Sequence, residues 1–151
     1  MDALEERMLA IRWRYADQDP VALGALEDRI AAAGRAGGLL TYAELVEAMV
    51  FKLPGVRGGA PFQIVTFAWS SLDRRLVNEF LGLIGVRSYQ LAGFMANALV
   101  IDRAPDKPAM HFAQWLRQIR ARPKLDEAAI LAYWREQVDL AHQFYQAEPA
   151  P

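Results

Sequence analysis

Apolar residues recur along most of this chain at intervals of three and four, the spacing that lines one face of an α-helix. Leu4, Met8 and Ile11, extended by Trp13 and Tyr15, predict a first helix over 4–15. Leu23, Leu26 and Ile30 predict a second. Asp19-Pro20 starts it, since Asp caps and Pro tolerates the first helical position, and Gly37-Gly38 ends it. Thr41-x-x-Glu44, ahead of Leu45, Val46, Met49 and Val50, is a capping box that predicts a short third helix ending before Pro54. Ser70 or Ser71 caps a fourth, striped with Leu72, Leu76, Phe80, Leu83 and Ile84, and one or two helical turns follow over 88–93. Phe112, Trp115, Leu116 and Ile119 predict a fifth over 110–119, stopped at Arg122-Pro123. Asp126 caps the last, which carries Ile130, Leu131, Trp134, Val138, Leu140, Ala141 and Tyr145.

Two stretches break this rhythm. Phe62 to Phe67 alternates and is rich in β-branched and aromatic residues, which predicts a strand, and Ala96 to Ile101 predicts a second. Between them and the third helix, Pro54 to Pro61 holds three glycines and two prolines and reads as a loop. The expectation is a mostly helical α+β fold with about six helices and a small two-stranded sheet. It forms one domain over 1–148, with a frayed end at 149–151. Leu76, Phe80, Leu83 and Ile84 of a central fourth helix are expected to make the core with Leu99, Ile101, Phe112 and Trp115. With 151 residues, 54% of them hydrophobic and 23% charged, the chain has enough apolar material for such a core.

Composition narrows the chemistry. There is no cysteine, which excludes disulfides, thiol nucleophiles and zinc-thiolate sites. The two histidines, His111 and His142, fall on different predicted helices, and His-Glu-x-x-His is absent, so neither a metal nor another cofactor is expected. Gly-x-Ser-x-Gly and the phosphate loop are also missing. No apolar run is long enough to span a bilayer, and Met1 to Glu6 lacks a leader's layout, so no membrane association and a cytoplasmic location are expected.

Net charge is −1, but unevenly spread. Arg103, Lys107, Arg117, Arg120, Arg122 and Lys124 face one acid, Asp106; beyond Leu125 five acids face one base, Arg135. These bases can converge on one patch or spread over solvated helix faces. If they converge, Arg74, Arg75, Arg103, Lys107, Arg117 and Arg120 are the candidates for phosphate contact with nucleic acid. The acidic last helix offers a second possibility. Trp134 and Tyr145 can extend its apolar stripe toward a protein partner or a second copy of the chain. A third is an enzyme with its site near Pro54 to Pro61. Trp13, Phe67, Trp69, Trp115 and Trp134 can line a cleft or fill the core; Trp69 stands apart, at a strand-to-helix junction beside two serines.

Thr41-Tyr42-Ala43-Glu44-Leu45, then Leu81-Gly82, then Gly93 with Ala98-Leu99-Val100-Ile101, then Pro108 with Phe112, make an ordered series over about half the chain. This series resembles a loose group of small bacterial proteins of unknown function, often with a winged-helix-like core. Thr41-Tyr42-x-x-Leu45 is also similar to the opening of the winged-helix part of alkylguanine-DNA alkyltransferase-like proteins. That resemblance implies a DNA-contacting, winged-helix-like core. The family's Pro-Cys-His-Arg motif has no counterpart here, which excludes alkyl transfer, and residues 53–69 are inserted between the two matching helices.

Overall fold

The computed structural model describes residues 2–120 and 125–147. In chain order the elements are α1 (Ala3–Leu9), α2 (Pro20–Arg35), β1 (Leu40–Thr41), α3 (Tyr42–Val46), α4 (Ser71–Ala92), β2 (Val100–Ile101), α5 (Met110–Ile119) and α6 (Glu127–Ala147). This is the mostly helical α+β arrangement that the apolar spacing predicts. No helix among the described residues is long and apolar enough to cross a membrane. The expected stop at Arg122-Pro123 and the frayed end lie outside the described residues, as do the bases Arg122 and Lys124.

Side-chain caps set the helix starts. Asp19 Oδ1 accepts from the Ala22 amide at 3.1 Å, and its Oδ2 accepts from the Lys52 amide at 2.7 Å. One buried carboxylate therefore starts α2 and pins the segment after α3. Thr41 and Glu44 exchange both bonds of the capping box, at 3.2 and 2.9 Å. Ser70 and Asp73 do the same for α4, both at 3.0 Å. α4 absorbs the turns expected at 88–93 and runs unbroken to Gly93, whose φ of 77° is the left-handed cap that glycine adopts without a Cβ clash.

Three expectations need correction. The first helix stops at Leu9, short of Tyr15. The amides of Arg14, Tyr15 and Ala16 all donate to Glu79 Oε1, at 2.8, 2.8 and 3.3 Å, so this segment wraps a carboxylate instead of continuing the helix. The strand expected at 62–67 reduces to a single antiparallel bridge between Phe51 and Phe62. The alternation holds, since Phe62 and Ile64 are buried while Gln63 and Val65 face outward. Continued antiparallel from that bridge, 63–67 would run beside 50–46, and that stretch is the end of α3 and the turn after it, where Ala48 has a φ of 57°. The second strand is confined to 100–101, because Ala96–Leu99 coils into a 3-10 turn.

β1 and β2 run parallel, Leu40 beside Val100 and Thr41 beside Ile101. Among the described residues the only antiparallel pairing is the Phe51–Phe62 bridge, so no hairpin wing is present there.

The core has two parts. One gathers Leu26, Ile30, Leu45, Phe51, Leu76, Phe80, Ile84 and Leu99. The other gathers Met8, Val86, Ile101, Phe112, Trp115, Ile130 and Trp134. α4 contributes to both and is the central helix. Each fully buried side chain contributes about 1.5–3 kcal/mol. Leu83, expected in the core, is only half-buried. Trp134, open to both a core and an interaction reading, is 3% exposed, and its indole N–H donates to the Ala98 carbonyl at 2.8 Å. An indole on an apolar stripe needs an acceptor once buried, and the 3-10 turn supplies one.

Candidate functional site

A trough runs along α4 and α5. Its α4 wall is Ser71, Arg74, Arg75, Asn78, Glu79 and Gly82, a stripe at intervals of three and four. Its α5 wall is His111, Gln114, Trp115 and Gln118, again one helical face. At one end the trough opens into a cavity of about 600 Å³, where Arg74, Asn78, His111 and Gln114 meet Tyr42, Trp69 and the 102–110 segment. At the other end it reaches Ile11, Arg12 and Trp13 of the loop held by Glu79.

The lining is electropositive. Arg12, Arg74, Arg75, Arg103 and Lys107 are set against two carboxylates, Asp102 and Glu79. Both carboxylates are engaged, since Asp102 Oδ2 accepts from the Met110 amide at 2.9 Å and Glu79 holds its three amides. None of the five cations meets a carboxylate among the described residues. A concave, low-dielectric wall concentrates such a field, and the near-zero charge of the whole chain does not cancel it locally.

The cavity itself is aromatic and amide-lined. Trp69 and Tyr42 meet edge to face, with ring centroids 6.2 Å apart. The Tyr42 hydroxyl donates toward Asn78 Oδ1 at 3.4 Å. Burial, then the nearby Asp102 carboxylate, push the Tyr42 phenol up, so it stays protonated. Burial pushes the His111 imidazole down to about 4, so at neutral pH it adds no charge. His111 Nε2 is shielded from solvent and has no partner.

Of the six candidate bases, the fold brings Arg74, Arg75, Arg103 and Lys107 to this trough. Arg117 and Arg120 do not line it. Arg117 Nε donates to the Leu125 carbonyl at 3.1 Å, and the Arg120 guanidinium lies 4.5 Å from the centre of the Tyr133 ring. Both bind the end of α5 to the chain that follows.

The second candidate surface loses its anchors. Trp134 is buried, and Tyr145 packs inward against Gly34, where a Cβ would collide with its ring, and edge-on to Phe94 at 5.6 Å. His142 Nε2 also turns inward and donates to the Gly38 carbonyl at 2.8 Å. The Pro54 to Pro61 loop lines neither part of the trough. It is fastened by Arg57, whose guanidinium lies 4.9 Å from the Phe62 ring and 3.7 Å from Asp73. Among the described residues no three His, Asp or Glu side chains gather as a metal site.

Sequence reasoning missed Tyr42, Asn78, His111, Gln114 and Arg12 as site residues. The signal was available for three of them. Asn78, His111 and Gln114 are polar residues in register with Arg74 and Trp115 on two otherwise amphipathic helices. Compared with known proteins, the chain matches no family model, no curated protein and no solved structure.

Proposed function

We propose that this protein is a non-enzymatic binding module that contacts nucleic acid along the α4–α5 trough. The single observation behind this reading is that Arg74 and Arg75 of α4, with Arg103 and Lys107 beyond β2, line one concave trough and meet no carboxylate among the described residues. Unpaired guanidinium and ammonium groups on a concave wall are what a chain of phosphates needs, because each contact releases a condensed counterion. The aromatic and amide lining adds surface for the rest of a nucleotide. The residues of the trough include no nucleophile with an adjacent free base: the carboxylates are occupied and the one imidazole stands alone. Binding therefore describes the site better than turnover.

Fluorescence polarisation with labelled oligonucleotides at low salt tests this. Binding is expected, with log Kd rising linearly with log salt at a slope of about 2–3 for three to four phosphate contacts on a single strand. The Arg74→Glu, Arg103→Glu double variant is expected to weaken it by about tenfold or more. Arg135→Glu, on the exposed face of α6, is the control. Retention of no oligonucleotide at low salt, or an equal loss in the control, overturns the proposal.

A further inference from the structure

We infer that the cavity at the Trp69 end of the trough accepts one unpaired nucleobase, which makes the ligand a single strand and not a duplex. The inference rests on the nucleic-acid reading above and adds to it what the electrostatics alone do not specify. Three independent features point to a planar, hydrogen-bonding group.

The first is size. A concavity of about 600 Å³ holds a base with its sugar, whereas a duplex presents its bases stacked and paired and cannot put one into it. The second is the wall chemistry. Trp69 is half-buried and braced edge-on by Tyr42, so the indole is held in place and keeps part of its surface toward the cavity. Met110, 68% exposed, supplies a polarisable apolar rim across the opening. A base brings a π-face to such a wall whatever its identity. The third is the set of unsatisfied polar groups. Gln114 offers a free amide, Asn78 keeps its NH₂ free, and His111 offers an uncharged ring nitrogen. Amides and a neutral imidazole match the mixed donor and acceptor edge of a base. Arg74, Arg103 and Lys107 line the same cavity and can hold the flanking phosphates while the base turns inward.

On this view the cations bind the strand and the cavity selects it.

The test compares three probes of equal length by fluorescence polarisation: a single-stranded oligonucleotide, its duplex, and a single strand of abasic sugar-phosphates. The single strand with bases is expected to bind about tenfold tighter than either of the others, the scale of one base–aromatic stack. Trp69→Ala is expected to abolish that preference while leaving the salt slope unchanged. Gln114→Ala, at an exposed position that the fold does not need, is expected to reduce it about threefold. Equal affinity for all three probes overturns the base cavity and leaves the phosphate trough standing. So does a preference that survives both variants. Failure of every probe to bind at low salt removes both proposals.

Discussion

Asp19 and Asn97 are both buried polar side chains, 6% and 1% exposed, yet one makes two hydrogen bonds and the other makes none. The contrast extends to the regions they belong to. On the α2–α3 side, Asp19 and the Thr41–Glu44 pair are consumed by backbone amides, as is the α4 carboxylate of Glu79 that holds the loop before α2. On the α4–α5 side, Asn97, His111 Nε2 and Trp115 Nε1 are shielded and unpaired. A shielded group without a partner forfeits its hydration, so folds seldom keep one without a reason. In the first region polar groups build the scaffold. In the second they are held in reserve beside the trough, two of them on its wall.

The contrast can be broken at several points. The largest effect is expected from Glu79→Ala, which strands three amides at once. Each shielded donor left unpaired costs about 1–3 kcal/mol, and Tyr15 and Ala16 are buried, so a loss of roughly 2–4 kcal/mol in urea denaturation is expected. A loss below 0.5 kcal/mol on that scale would mean that the loop finds other acceptors. A smaller, pH-dependent effect belongs to His111. Its folded pKa of about 4 lies below the ordinary 6.5, so as pH falls through 6.5 the unfolded chain takes up the proton first. Stability should decline between pH 6.5 and 4 and level off below. Thermal melts of wild type and His111→Leu should diverge across that window; parallel curves would place the ring in solvent. The smallest effect is expected from Asn97→Leu. Removing both stranded atoms with little change of volume should leave stability within about 1 kcal/mol or raise it, because no hydrogen bond is lost. A marked loss would show that Asn97 carries a bridging water.

The fold was more legible in the sequence than the site, and particular residues show why. Asp19-Pro20, Thr41-x-x-Glu44 and Gly93 act on their own neighbours, so their helix boundaries could be read directly. The end of α1 depends on Glu79, far along the chain, and no local pattern announces that capture. The strand at 62–67 failed for a similar reason. Its alternation was correct, but a strand requires an extended partner, and the stretch opposite 63–67 is the end of α3 and its turn. At the site, composition could flag the bases but not their convergence. Arg74 of α4 and Arg103 of the segment after β2 line one cavity, a juxtaposition of positions far apart in sequence that no local pattern announces. Trp134 stayed ambiguous in the sequence because an apolar stripe reads the same whether its target is a partner or the protein's own 3-10 turn.

The parallel pairing of Leu40 with Val100 has a consequence for biosynthesis. Loop-closure entropy must be met before so distant a pair is rewarded, which places this step late in folding. A growing polypeptide leaving the ribosome can set α2 and α3 early, since their caps are local. It cannot form the trough until α5 has emerged and closed the second wall. A nascent chain arrested before His111 should carry locally capped helices but lack the trough's second wall and the α6 face that α2 packs on.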